Sequence, residues 1–164
     1  MRAHALLLAA VLLAGCAHPW NAVNLPPGTP REQVIAQAGP PQRVVPLANG
    51  GQRLQYTLQP LGRHAFMVDL DPAGRLVQAR QVLTEANFHR IQVDRWTSED
   101  VQREFGPPAQ IDAVYSWPGP VWTYRWRDLG NADMFYWVYF DRQGVVRRAH
   151  PGIEHHNFPN DVRK

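Results

Sequence analysis

Phe66-Met-Val-Asp-Leu-Asp-Pro-Ala-Gly74 and Tyr136-Trp-Val-Tyr-Phe-Asp-Arg-Gln-Gly144 carry one pattern twice. Phe66, Val68 and Leu70 fall on one face of the first stretch, the period of a half-buried strand, and Tyr136, Val138 and Phe140 fall likewise on one face of the second. Asp-x-x-Gly then follows, aspartate favouring the first position of a tight turn and glycine accepting positive φ at its end. Each stretch therefore predicts a strand entering a hairpin. Working outward, Leu54-Gln-Tyr56 answers Trp122-Thr-Tyr124, Gly39-Pro-Pro41 answers Gly106-Pro-Pro108, and Asn87-Phe88 answers Asn157-Phe158. A repeat of about seventy residues is too long for a solenoid unit and right for a small duplicated domain.

The helices are predicted from their ends. Thr29-Pro-Arg-Glu32 offers a hydroxyl at the N-cap, a proline at the first helical position and a carboxylate three residues on, predicting a helix over 30–38 that stops at Gly39-Pro-Pro41. In the second repeat Thr97 caps with Asp100, Trp96 and Val101 stand at staple positions, and the helix runs over 98–105. Residues 84–91 read as a further short helix. Strands are expected around Leu54, Tyr56 and Leu58, through Phe66, Val68 and Leu70, and over 76–82, with 145–149 as the last strand of the second repeat. The expected fold class is α+β: two tandem ααβββ units, with short helices packed on antiparallel three-stranded sheets.

The first residues of the chain point to the cell envelope. Arg2 supplies a positive charge, residues 5–14 form an apolar run too short to span a bilayer, and Leu13-Ala-Gly-Cys16 closes it. These four residues match the bacterial lipobox, in which cleavage frees the Cys16 amine for acylation and the thiol carries a diacylglycerol. Cys16 is the only cysteine, so no disulfide competes for it. Ala17 follows in place of the aspartate that retains many lipoproteins at the inner membrane, and the resemblance to sorted lipoproteins implies the periplasmic face of the outer membrane. The expected organisation is a signal peptide over 1–15, a lipidated tether over 16–24, repeats over 25–82 and 83–151, and a polar tail over 152–164.

Composition is that of a folded chain, with 45% hydrophobic residues and six Trp in 164 residues. Net charge is +3, almost all of it from arginine, since Lys164 is the only lysine. In an exported protein so small an excess bears on solubility and anionic lipid, and nucleic acid is not expected as a partner.

Catalytic patterns are absent from the reading. Ser98 and Ser116, the only serines, lie in a helix cap and beside Trp117-Pro118, neither in a nucleophile elbow. Asp69 and Asp71 share one face of a strand near a turn, where solvation is the expected fate. His150, His155 and His156 cluster, but adjacent histidines point apart in a strand, which is poor chelating geometry. No enzyme activity, cofactor or metal is expected.

One strand differs from the rest. Met134, Tyr136, Val138 and Phe140 occupy one face, and Phe135, Trp137 and Tyr139 the other, so the strand is apolar on both sides. One face must pack on helices. The other packs within the protein or lies open as a partner-binding patch of Phe135, Trp137 and Tyr139, with Trp122, Arg125 and Arg127 beside it, aromatic and arginine side chains being where interfaces concentrate binding energy.

These motifs resemble the small outer-membrane lipoproteins of the SmpA/OmlA, or BamE-like, family, with Trp122-Thr-Tyr124, Phe140-Asp141 and Gly144 the nearest matches. That resemblance implies an ααβββ domain and a role in or beside the machinery that assembles outer-membrane β-barrels. Two tandem units also resemble the β-lactamase inhibitory protein architecture. The resulting expectation is a non-enzymatic, protein-binding envelope lipoprotein; the alternative is a periplasmic inhibitor or ligand-binding module using a concave sheet.

Overall fold

The computed structural model describes residues 17–154. Two short helices, α1 (Trp20–Val23) and α2 (Arg31–Ala38), precede four strands, β1 (Arg43–Pro46), β2 (Gln52–Thr57), β3 (Ala65–Leu70) and β4 (Leu76–Gln81). The series then repeats as α3 (Glu85–Phe88), α4 (Ser98–Phe105), β5 (Gln110–Ala113), β6 (Pro120–Arg127), β7 (Asp133–Phe140) and β8 (Val146–Ile153). Each set of strands forms its own antiparallel sheet, in the orders β1-β2-β3-β4 and β5-β6-β7-β8. The chain divides into two compact units. The first holds Phe66–Gln81 with the chain up to Tyr56; the second holds Thr57–Ala65 with everything from Val82 onward.

The expected fold class is corrected here. Each sheet has four strands, not three, and the molecule is mostly β with few, short helices rather than a pair of ααβββ units. The strands missed from the sequence are β1 and β5. Both are four-residue edge strands that bury no complete face, with burial running from exposed to half-buried only. Arg43-Val-Val-Pro46 sets two valines on opposite faces and ends in proline, which suits an edge. No alternation marks either of them.

The same local devices build both units. Asp71 Oδ1 accepts the Arg75 N–H at 2.9 Å, and Asp141 Oδ1 accepts that of Val145 at 2.9 Å. The turn glycines then present carbonyls to the helices: the Arg31 N–H donates to Gly74 and the Ser98 N–H to Gly144. Buried tyrosines tie each sheet to the end of its helix, Tyr56 donating to the Gly39 carbonyl at 3.1 Å and Tyr124 to that of Gly106 at 2.8 Å. Gly39 (φ 87°, ψ 179°) and Gly106 (φ 76°, ψ −171°) end the helices outside the left-handed helical well in which a glycine commonly closes a helix. They occupy the region of positive φ and extended ψ, which is closed to residues with a Cβ.

Thr97 and Asp100 form the predicted capping box. Thr29 does not cap. Its hydroxyl donates to the Pro26 carbonyl at 2.6 Å, and Pro30, which has no side-chain acceptor to offer, stands at the N-cap. Within the stretch expected as tether, α1 is folded against the unit: Ala22 is fully buried and Trp20 meets the Phe66 ring edge-on at 4.8 Å. At the other end β8 runs to Ile153.

The cores lie between helices and sheets. In the first unit Val34, Leu54, Tyr56, Phe66, Val68 and Leu70 are excluded from solvent. In the second, Phe88 of α3 stacks on Tyr136 at 4.0 Å and Phe105 at 5.0 Å, and meets Trp126 edge-on at 5.6 Å. One helical turn thus seals the centre of an aromatic core, each such pair adding about 0.5–1.5 kcal/mol to the area it buries.

Candidate functional site

On β7, side chains alternate between the helix side and the opposite face. Tyr136, Val138 and Phe140 are buried on the helix side, while Phe135, Trp137 and Tyr139 are half-buried on the other. Cross-strand pairing sets Gly152, His150 and Arg148 of β8 opposite these three. The rings join into one strip: Phe135 to Trp137 at 5.6 Å, Trp137 to His150 at 5.3 Å, His150 stacked on Tyr139 at 5.5 Å, and Trp117 edge-on to Tyr139 at 5.2 Å. The Arg148 guanidinium lies 5.4 Å from the Tyr139 ring centroid.

Trp137 leans across β8 because position 152 has no side chain. A Cβ there would stand 2.3 Å from the indole Cζ3. Trp117 is held from below, its indole N–H donating to the Phe140 carbonyl at 2.7 Å.

The sequence-predicted residues do not all meet. Phe135, Trp137 and Tyr139 share the strip. Trp122 is on the helix side, packed against Phe140 at 4.8 Å. Arg125 pairs with Phe135 in the register, but its guanidinium is an ion-pair partner of Glu154 and donates to the Pro60 carbonyl at 2.9 Å. Arg127 bonds Asp133 at 3.0 Å. Arg63 bridges the same two acids, at 2.6 Å to Asp133 and 3.3 Å to Glu154, so these arginines fasten the 57–65 loop to the end of the sheet. His64, in this loop, has its pKa lowered by burial and by the Arg127 and Arg63 charges. Cys16, His155 and His156 lie outside the described residues. Sequence reasoning missed Trp117, His150 and Arg148 as members of the strip. The signal was hairpin register, obscured by a bulge between Tyr139 and Phe140 that shifts the pairing by one residue.

The corresponding face of the first sheet has different chemistry. Asp69, expected to be solvated, is buried: Arg53 grips it at 2.6 Å and 3.0 Å, Gln78 donates to it at 3.0 Å, and Arg80 lies 3.9 Å away. The positions of Asp69 and Met67 correspond to Tyr139 and Trp137 in the duplicated pattern. One unit holds an ion cluster where the other holds stacked rings.

A hollow of about 310 Å³ opens on the helix side of the second unit, lined by Thr84, Ala86, His89, Trp126 and Leu129. Among the described residues no three His, Cys, Asp or Glu side chains are grouped to hold a metal, and no helix is long and apolar enough to cross a membrane. The strip presents π faces, an imidazole and an exposed guanidinium, chemistry suited to gripping apolar and aromatic side chains.

No family model and no curated protein matches the chain. Several solved structures are similar at low level, two of them as follows. A DUF4309 family protein from Bacillus subtilis shares 15% identity over 76% of this chain and 78% of its own, with a TM-score of 0.32. An extracellular protein containing a SCP domain, from Bacillus anthracis, shares 14% identity over 77% of this chain and 43% of its own, with a TM-score of 0.29.

Proposed function

We propose that the chain is a non-enzymatic, lipid-anchored protein of the periplasmic face of the outer membrane, which binds a protein partner in or beside outer-membrane protein assembly. The observation that carries this reading is the half-buried strip of Phe135, Trp137, Tyr139, His150 and Trp117 along the outer face of the sheet. Contiguous aromatic surface of this kind is uncommon on a protein with nothing to bind, and aromatic anchors carry most of the energy of an interface. The Leu13-Ala-Gly-Cys16 motif supplies the location.

Trp137→Glu tests it in the lipidated protein. The side chain is half-buried on the outer face of the sheet, where the shorter glutamate can turn its carboxylate to water, so the melting temperature should fall only modestly, whereas recovery of a crosslinked barrel-assembly component should fall at least about tenfold, the loss expected of a hot-spot residue. Tyr139→Ala should act in the same direction without introducing a charge. Undiminished recovery with both variants overturns the docking role.

A further inference from the structure

Ala17, the residue after the cysteine proposed to carry lipid, already lies against the first unit. Ala17 lies 3.9 Å from the space a Gly39 Cβ would take, and the His18 N–H donates to the Gln37 carbonyl at 3.0 Å. The Asn21 amide donates to the same carbonyl at 2.9 Å. Successive Cα atoms are about 3.8 Å apart. Lipid on Cys16 is therefore joined to the folded unit with almost no spacer, whereas a flexible linker of some fifteen residues would let it range about 20 Å.

Trp20 follows four residues after Cys16, at most about 14 Å along an extended chain and nearer once the backbone turns into α1. It leaves 44% of its surface exposed, and Val23, at the end of α1, 37%. The headgroup layer on each side of a bilayer is about 5–7 Å deep, and tryptophan, with its apolar ring and polar N–H, collects there. The glycerol of a lipidated Cys16 would sit in that layer, within reach of Trp20.

We propose that the first unit rests directly on the bilayer surface through α1 and the adjoining end of α2, with the exposed part of Trp20 seated among the headgroups. The unit is then an oriented platform and not a body swinging on a tether. This rests on the lipid-anchor reading, and on the contacts of Ala17 and His18 with the end of α2.

The test uses the full lipidated chain in phosphatidylcholine–phosphatidylglycerol vesicles. With the Cys16 sulfur occupied by lipid, Val23→Cys introduces the sole free thiol, which is labelled with a nitroxide. The nitroxide should be shielded severalfold from a water-soluble nickel chelate, compared with the same label in a chain carrying about fifteen Gly/Ser residues inserted between Ala17 and His18. Trp20→Ser, with the insertion absent, should lose part of that shielding while palmitate incorporation is unchanged. Equal nickel accessibility in the parent and inserted chains, with palmitate present in both, overturns the surface contact and leaves the anchor standing. Absence of palmitate overturns the anchor and the contact together.

Discussion

Removing one oxygen atom from Tyr124 measures how much the link between helix end and sheet contributes. The Tyr124 hydroxyl donates to the Gly106 carbonyl at 2.8 Å, both residues are buried, and the ring is packed between Phe88 and Phe105. Tyr124→Phe keeps the ring and leaves a buried carbonyl without this donor, a loss of about 1–3 kcal/mol. For a unit of this size we expect about 2 kcal/mol, lowering its melting midpoint by about 8 °C or more. Tyr56→Phe should cost less, about 1 kcal/mol, because its bond to Gly39 is 3.1 Å and only part-buried. Alkali gives an independent reading. Burial holds the Tyr124 hydroxyl well above its ordinary 10.0 and pushes Tyr56 up to about 12, against the nearby Arg31 charge. Both pKa values are raised on folding, so the stabilisation is complete below pH 10 and is lost as pH climbs through 10 towards 12 and beyond. Urea unfolding of the full chain carrying Cys16→Ser, at neutral pH and again at several alkaline values, checks both. An unchanged midpoint for Tyr124→Phe, or an alkaline slope as steep as the parent's in the double Phe variant, refutes the reasoning.

Gly106→Val places a β-branched side chain at φ 76°, ψ −171°, and should destabilise by about 1–3 kcal/mol in denaturant melts, with Gly39→Val comparable. Thr97→Ala removes the cap and should cost about 1 kcal/mol. For Asp100, burial raises the carboxyl pKa, but bonds from Thr97 and Arg103 outweigh it and hold it below 3.8; this stabilisation is present above pH 3.8 and is lost as acid protonates the folded form. An acid titration of Thr97→Ala should accordingly show a shallower loss than the parent. Asp69→Asn leaves Arg53 buried without its counter-charge and should cost about 3–5 kcal/mol, whereas replacing Arg53 and Asp69 together by Met and Leu should cost far less, a difference that a double-mutant cycle reads directly.

What was legible in the sequence was what depends on neighbours in the chain. The Thr97–Asp100 box, the Asp-x-x-Gly turns and the two-faced strand Asp133–Phe140 need only residues a few positions apart, and each could be read from spacing. Thr29 has the same spacing to Glu32, yet its hydroxyl turns to Pro26, because the helix register puts Pro30 at the N-cap: Arg31 meets the Gly74 carbonyl as Ser98 meets that of Gly144, so Pro30 stands where the second unit has Thr97. The turn that fixes this register is over forty residues away in the sequence. Strands β1 and β5 escaped because an edge strand with no buried face leaves no period to detect. In the strip, the ring content of β7 was visible, but His150 and Arg148 entered through a register displaced by one bulge, and Asp69 looked solvated only because its partner Arg53 lies sixteen residues earlier on another strand.

The 57–65 loop belongs by chain order between β2 and β3, yet Arg63 and Gln59 bond to Asp133, Glu154 and the backbone of Arg125. A gene cut at residue 82 would therefore not yield two self-sufficient proteins: the downstream product would begin without its own clasp, and the upstream one would carry that clasp with nothing to close on.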